Sequence, residues 1–224
     1  MRVYVQVDEK DDLKYADWCR QLAAGRSYVS DGFAHALKFT VDGRSPGDEA
    51  VATDGATKVT IQARVTFAPA TPLTVAQGLT VPSEGRRAVG DTRILHGPRV
   101  DAYAKGGRRL VEIIVNGQPV ASRWVVANGE PQDLEFTVPI VQSSWVALRH
   151  FPQLHTNPVD VIVAKSPIRA SSDSAKWCIA MTEQLWRNRQ MRIAAPERAE
   201  AEQTFEKALA IFAGIRDAAI AVEE

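Results

Sequence analysis

The middle of the chain consists of short runs in which apolar and polar residues tend to alternate, and this pattern constrains the fold more than any other feature. The runs are rich in Val, Ile, Phe and Trp, and turn residues separate them. In chain order they read HALKFTVDG, KVTIQARVTF, RLVEIIVNG, QPVASRWVV, DLEFTVPI, SSWVALRHF and VDVIVA. Such a succession, with no helical pattern between the runs, predicts an antiparallel, immunoglobulin-like β-sandwich.

The strongest local signal within this region is the dipeptide Asn116-Gly117, which lies between two of the runs. Both residue types tolerate the positive φ angles of a tight turn, so we expect a hairpin there. The chain has only two cysteines and no Cys–Trp–Cys spacing. The pattern therefore predicts sandwich architecture and not a true immunoglobulin domain.

Helical periodicity appears on both sides of the β region. Before it, apolar residues fall on one face of a helix that Gly25 can terminate: Tyr15, Trp18, Cys19 and Leu22. After it, a first helix places Cys178, Met181 and Leu185 on one face, with Trp177 and Trp186 on its flanks. A second helix carries a stripe of Ala201, Phe205, Ala208, Phe212 and Ile215, and the short connection predicts an antiparallel hairpin.

The predicted class is therefore mainly β with helices (α+β), with a sandwich preceded by one helix and followed by a helical hairpin. We divide the chain into an N-terminal strand and helix at 1–27, a β-sandwich at 28–168 and a C-terminal hairpin at 169–224. The sandwich includes a long Gly-rich, charged loop at 82–108. The first segment is interpreted as the tail of a preceding domain, because the chain begins abruptly in strand-like sequence.

Composition argues against several classes of partner. Lys and Arg number 27, and Asp and Glu also number 27. A neutral chain exerts no general attraction on nucleic acids or anionic lipids, so we expect neither partner. No stretch approaches the roughly 18 apolar residues of a membrane helix, and no signal peptide is recognised, so localisation stays open. The two cysteines are expected to be buried free thiols.

One candidate site lies in the segment GRSYVSDGFAHALKF, between the first helix and the first strand of the β region. It gathers polar side chains that can line a cleft at a domain junction, and the candidates are Tyr28, Ser30, Asp31 and His35. A local interpretation is favoured over this one. Asp31-Gly32 makes a turn, and Ser30 satisfies backbone groups around it.

A second candidate lies in the segment HFPQLHTNP, which contains His150 and His155. The intervening Pro152 excludes helical i, i+4 geometry, so the two imidazoles form no ready-made chelate. A metal site would need further ligands, with Asp31 and His35 as contributors. The favoured interpretation is a loop of fixed shape in which Thr156 and Asn157 bond backbone groups.

The chain resembles a known family in three blocks of sequence. WCRQLAAGRSYVSDGFAHALKFTVDGRSPGDEA is similar to a Trp…Gly-Arg-Ser/Thr-Tyr/Phe-Val-Ser/Thr-Asp/Asn-Gly pattern, followed by a strand ending in Val-Asn/Asp-Gly and a Pro-Gly-Asp/Glu. LVEIIVNGQPV and SSWVALRHFPQLHTNPVDVIV are similar to its later hairpin and His-Thr-Asn-Pro segments. The blocks resemble the region that follows the catalytic barrel in CehA/McbA-type metallohydrolases of the PHP superfamily. They occur in the expected order and cover nearly all of the chain up to Ala170.

This resemblance implies an accessory role for the chain. Family members hold divalent metals on an N-terminal β/α barrel and are associated with hydrolysis of esters, phosphoesters or carbamates. The barrel's His-x-His and Asp-x-His motifs are absent here, so no metal ligand and no catalytic residue carries over. The resemblance places the Tyr28–Gly32 segment at the barrel–sandwich junction, with His155–Pro158 as a loop of the sandwich. It also suggests an exported bacterial protein.

Three functional hypotheses follow. In the first, the chain is a non-catalytic accessory domain that packs on a catalytic barrel, which predicts an exposed apolar surface near the first helix. In the second, it is a carbohydrate- or protein-binding module. An exposed, coplanar pair of Trp124 and Trp145 would favour sugar stacking, although we expect both to be buried. The third, least favoured, is a complete small hydrolase using His35, His150 or His155 with Asp31. Self-association is left open.

Overall fold

The computed structural model describes residues 1–7, 14–71, 80–82, 92–94, 106–151, 153–169 and 171–219; for 80–82 and 92–94 only the backbone is considered. The chain forms two compact units, Met1–Ser166 and Pro167–Glu224. The first holds every strand of the described part, and the second is a helical hairpin. This is the predicted α+β class, with one helix before the β region and a helical hairpin after it.

Among the described residues, the first unit contains one helix, α1 (Tyr15–Ala23), and thirteen strands. The strands before the segment 83–91 are β1 (Arg2–Val5), β2 (Ser27–Ser30), β3 (Ala34–Val41), β4 (Val51–Thr53), β5 (Thr57–Phe67) and β6 (Thr80–Pro82). Those after it are β7 (Thr92–Ile94), β8 (Arg108–Val115), β9 (Gln118–Val126), β10 (Gln132–Ile140), β11 (Ser144–His150), β12 (Leu154–Thr156) and β13 (Val159–Val163).

Two of the sheets form the sandwich. An eight-stranded sheet runs β1-β2-β12-β11-β13-β4, with β8 also paired to β11 and β9 paired to β8. A three-stranded sheet runs β10-β5-β3. All pairings in these sheets are antiparallel except that of β13 with β4. One hydrophobic core takes side chains from both sheets, such as Ile61 and Val65 from one and Ile113 and Leu148 from the other.

Alternation explains this core. Along β5, every second residue from Val59 to Phe67 is buried while most residues between them face solvent. A strand directs successive side chains to opposite faces, so one face of β5 packs into the core. The predicted turn is also present, because Asn116 and Gly117 have φ values of 50° and 87° and join β8 to β9. That conformation matches the right-handed twist of the flanking strands.

One end of the edge strand β9 is covered by a side chain. The Gln132 amide donates to the carbonyl of Val126 at 2.7 Å, and its oxygen accepts from the Val126 N–H at 3.1 Å. This amide therefore takes both backbone bonds that a further strand would make at Val126.

The second unit contains α2 (Ser172–Arg189) and α3 (Arg198–Ala218), joined by two short 3₁₀ turns. The Ser171 hydroxyl caps α2 by accepting from the N–H of Ser174 at 3.0 Å. Among the described helices, none is long and apolar enough to cross a membrane. Cys19 and Cys178 are free and half-buried, so the expected thiols are present but not fully enclosed.

Within the predicted loop 82–108, the residues that the structure describes include strand segments. Residues 92–94 form β7, which pairs with β6, and Arg108 begins β8. Residues 83–91 and 95–105 lie outside the described part. Residues 1–7 and 14–27 belong to the first compact unit, where β1 pairs with β2. The interpretation of 1–27 as the tail of a preceding domain stays a prediction.

Candidate functional site

The two candidate segments are far apart in sequence but adjacent in the sheet. Strand β2 pairs with β12 so that Val29 lies opposite His155 and Tyr28 lies opposite Thr156. The predicted site residues therefore lie on these two strands, on the turn after β2, on β3 or just after β12: Tyr28, Ser30, Asp31, His35, His155, Thr156 and Asn157. We call this part of the first unit the β2–β12 junction.

An aromatic cluster forms the centre of the junction. The rings of Tyr4 and Tyr28, paired across β1 and β2, stack with centroids 5.2 Å apart. His35 meets Tyr4 edge-on at 4.9 Å, and its Nδ1 lies 2.9 Å from the Tyr28 hydroxyl. Sequence analysis missed Tyr4, although the alternation in β1 could have indicated it.

Burial of the Tyr28 hydroxyl, with a smaller contribution from the neighbouring Tyr4, raises the pKa of Tyr28 to about 12. Desolvation disfavours the phenolate, so Tyr28 stays a neutral phenol at physiological pH. It can therefore donate a hydrogen bond, and it is not an activated base or nucleophile.

The turn after β2 has the local role that sequence analysis favoured. The Ser30 hydroxyl donates to the carbonyl of Ala34 and accepts from the N–H of Gly32 at 2.9 Å. Asp31 Oδ1 accepts from the N–H of Phe33 at 2.7 Å. These are side-chain-to-backbone bonds of the kind that shape turns.

A buried polar chain continues from this turn into the sandwich. Gln153 Nε2 donates to Asp31 Oδ2 at 2.6 Å, and Arg109 Nε donates to Gln153 Oε1 at 3.1 Å. Arg109 also donates to the carbonyl of Gly106 at 2.7 Å. Arg109 and Gln153 are almost completely buried. Sequence analysis identified neither residue, because nothing local distinguishes a buried arginine from a solvated one.

His150 is buried beside this row of hydrogen-bonded side chains, with 3% of its surface exposed. Its Nδ1 donates to the carbonyl of Leu110 at 2.9 Å, and its ring meets Phe67 edge-on at 5.1 Å. Burial lowers the pKa of His150 to about 4, because the charged imidazolium is poorly solvated there and Arg109 repels it. His150 is therefore neutral at physiological pH.

The two histidines of the HFPQLHTNP segment lie on opposite faces of the sheet. His150 pairs with the buried Leu154, whereas His155 pairs with Arg149 on the opposite face. His155 Nδ1 donates to the carbonyl of Thr156 at 2.7 Å. The pleat therefore prevents the two imidazoles from sharing a metal ion. Pro152 lies outside the described residues.

Thr156 and Asn157 connect strands. The hydroxyl of Thr156, which is buried, accepts from the N–H of Leu148 at 2.9 Å. Asn157 Nδ2 donates to the carbonyl of Gly25 at 2.9 Å and to the Ser27 hydroxyl at 3.0 Å. These bonds join the end of β12 to the connection between α1 and β2, so they fix the geometry of the junction.

Within the described residues, no three His, Cys, Asp or Glu side chains are grouped so that they could hold a metal ion. Asp31 and His35, the contributors suggested from sequence, are engaged with Gln153 and Tyr28 respectively. A convergent histidine–carboxylate centre is not formed by these candidates. A ligand or partner protein at the junction would be held by shape complementarity and by hydrogen bonds to tyrosine hydroxyls and backbone groups.

An open cavity of about 280 Å³ lies beside Tyr4 and Tyr28. Arg26, Lys38 and Phe39 contribute to its lining. The cations are partly satisfied within the chain, since Arg26 pairs with Asp48 at 3.2 Å and Lys38 donates to Gln62 at 3.1 Å. The cavity can therefore admit a side chain or a small ligand with both an apolar and a polar part.

The tryptophans of the second hypothesis differ from expectation. Trp124 on the edge strand β9 is 53% exposed, with the Arg108 guanidinium 5.7 Å from its ring centre, so the prediction of burial is wrong for it. Trp145 is half-buried, near Gly117. Trp124 is level with Leu110 on β8, and Trp145 is level with the turn at its far end, about 20 Å along the strand. The two rings do not form one stacking platform.

No family model and no curated protein matches the chain. Among solved structures, it is similar to the CARDB domain of a Pyrococcus furiosus protein, crystallised in complex with di-metal ions. The match is 12% identical, covers 56% of this chain and 94% of that one, and has a TM-score of 0.25. A likeness at this TM-score carries no argument about the present chain.

Proposed function

We propose that the chain is a non-catalytic accessory region of a metal-dependent hydrolase, in which the β2–β12 junction packs on a catalytic barrel and shapes its entrance. The barrel is a separate region that this chain lacks, and it would resemble those of the PHP superfamily. Hydrolysis of esters, phosphoesters or carbamates, and the divalent metals that such chemistry needs, would belong to that barrel.

The pairing of β2 with β12 is the observation that carries the proposal. Two of the sequence blocks that resemble the metallohydrolases meet there, although more than a hundred residues separate β2 from β12. Their polar side chains hold backbone groups and one another, as in the Tyr28–His35 and Asn157–Ser27 contacts. A hydrogen-bonded surface of this kind is better suited to position a neighbouring domain than to catalyse a reaction.

Exposed apolar side chains near this junction also support the proposal. Strand β1 lies at the end of its sheet path, and Met1 and Val3 are exposed. Val29, opposite Val3, is partly exposed too, and Tyr15 on α1 is strongly exposed. The accessory hypothesis predicts such a surface near the first helix, since clustered apolar exposure is typical of interfaces.

The test is to identify the coding region that adjoins this chain and to produce the encoded barrel together with it. We expect the two parts to co-purify, with metal confined to the barrel by elemental analysis. A Val3→Asp and Tyr15→Asp double variant should separate them or raise KM without changing metal content. Val141→Asp, at another exposed apolar residue, is the matched control. Absence of a barrel region, or stoichiometric metal on this chain alone, would overturn the proposal.

A second candidate function, a carbohydrate- or protein-binding module, is favoured by the exposed Trp124. Aromatic faces of this kind stack on sugar rings and anchor protein partners. Titration with a panel of oligosaccharides, monitored by tryptophan fluorescence, should give saturable changes in emission. The Trp124→Ala variant should abolish these changes. A flat response across the panel would remove the carbohydrate part of this alternative.

A further inference from the structure

The helical hairpin of the second unit buries few side chains between its two helices. Trp186 on α2 packs on Phe205 of α3 with ring centroids 5.0 Å apart. The predicted α3 stripe is the less exposed side of that helix: Ala201, Phe205, Ala208, Phe212 and Ile215 are all half-buried. Of the described residues in this unit, only Ala175 is fully buried.

A second apolar row on α2 stays exposed. Trp177, Met181 and Leu185 are 64%, 42% and 49% exposed. They follow one another at steps of four residues, so they form one ridge along the helix surface. We call these three residues the α2 ridge. Three large apolar side chains in one row are more than the scattered exposure that monomeric proteins show.

The ridge is symmetric about its central residue. Trp177 and Leu185 lie equally far before and after Met181 in sequence, and the next residues in the same row are Asp173 and Arg189. When two such helices meet antiparallel at Met181, Trp177 of each faces Leu185 of the other. Each step of four residues turns about 40° around the helix, so the two rows align only when the helices cross. Asp173 of each then lies toward Arg189 of the other, so apolar groups and charges are matched together.

The charges at the two ends are available for this pairing. Asp173 contacts Lys176 at 2.8 Å, but both side chains are well exposed, and such surface pairs contribute little. Arg189 lies in the last turn of α2, where the helix dipole is negative, and Asp173 lies in the first turn.

We propose that the α2 ridge is a two-fold interface with a second copy of this chain, in which the two α2 helices cross antiparallel at Met181, at about −50°, with their ridges in contact. A two-fold contact uses the same patch on both partners, and the symmetry of the ridge about Met181 meets that requirement. The crossing also encloses apolar side chains that a hairpin alone leaves exposed.

The full chain can be tested by sedimentation equilibrium over a range of concentrations. We expect a dimer, and we expect Met181→Asp to raise its Kd by about 100-fold or more, because two carboxylates then meet at the two-fold axis. Met191→Asp changes the same residue type at another exposed position of this unit and should leave the Kd unchanged. Far-UV circular dichroism verifies that each variant keeps its helices.

Charge exchange tests the antiparallel register. Asp173→Arg alone should weaken the dimer, and the double variant Asp173→Arg with Arg189→Asp should restore it. A wild type that stays monomeric at all concentrations would overturn the proposal. This holds also if Met181→Asp destabilises that monomer, because the ridge would then be covered within one chain. A dimer that Met181→Asp does not weaken, or that the charge exchange does not restore, would overturn it as well.

Discussion

The sandwich and the hairpin differ in how they bury apolar side chains. Among the described residues, every buried hydrophobic side chain except Ala175 belongs to the sandwich. Two facing sheets enclose one face of each, so period-two alternation suffices to build a closed core. Two helices share only one contact line, and the rest of each helix surface stays open. We therefore expect the two units to respond very differently to equivalent substitutions.

The largest difference is expected between two isoleucines. Ile61 is completely buried in the sandwich, whereas Ile211 on α3 is mostly exposed. Ile61→Ala removes packed methyl groups and leaves a cavity, so it should lower the free energy of unfolding by about 2–5 kcal/mol. Ile211→Ala should change it by less than about 0.5 kcal/mol. Urea unfolding followed by circular dichroism measures both, and equal losses would contradict the contrast.

Acid should weaken the sandwich through His150. The unfolded imidazole titrates near pH 6.5 and the folded one near 4, so between these values only the unfolded chain binds the proton. Stability contributed by neutral His150 is complete above pH 6.5 and falls as the pH drops toward 4, by up to about 3 kcal/mol. Unfolding free energies of wild type and His150→Gln, measured from pH 7.5 to 4.5, should converge.

The comparison with His150→Gln cancels the titration of carboxylates elsewhere in the chain. Gln keeps a donor for the Leu110 carbonyl but carries no titratable group. Parallel curves for the two proteins across this pH range would show that His150 does not titrate as expected.

A small stabilising effect is expected from one substitution in the hairpin. Gly214 lies inside α3, and a Cβ placed there meets no atom within 4 Å. Gly214→Ala should stabilise the hairpin by about 1 kcal/mol, because alanine loses less backbone entropy in a helix. Gly47→Ala is the opposite control in the sandwich, where a Cβ would come within 2.4 Å of the Ala24 carbonyl oxygen at positive φ. Thermal unfolding should show opposite shifts.

Local sequence signals predicted the elements of this chain well. The alternation in β5 and the Asn116-Gly117 turn depend on residues that are neighbours in sequence, so a single sequence contains them. The class and the order of helix, sandwich and hairpin follow from such signals. The parallel pairing of β13 with β4 does not, because it joins strands that no local pattern relates.

The site was harder to predict for the same reason. Candidates such as Asp31 and His155 were identified as separate segments, and only the register of β2 with β12 brings these segments together. Arg109 and Gln153 were missed because their importance comes from burial beside Asp31, which composition cannot show. On α2 the pattern placed Met181 and Leu185 on one apolar face and Trp186 on its flank, but Met181 and Leu185 are exposed while Trp186 contacts α3. Apolar residues on several sides of a helix leave that choice to tertiary packing.

The contact between Gln132 and Val126 has a consequence for solubility. Strand β9 ends one branch of its sheet and carries exposed Trp124 and Val126, a combination that invites fibril-like growth by strand addition. The Gln132 amide presents a donor and an acceptor to Val126 in the manner of a neighbouring peptide unit. An incoming chain must displace that amide before it can extend the ladder at this end. A single glutamine thus allows the protein to display an aromatic edge while resisting aggregation there.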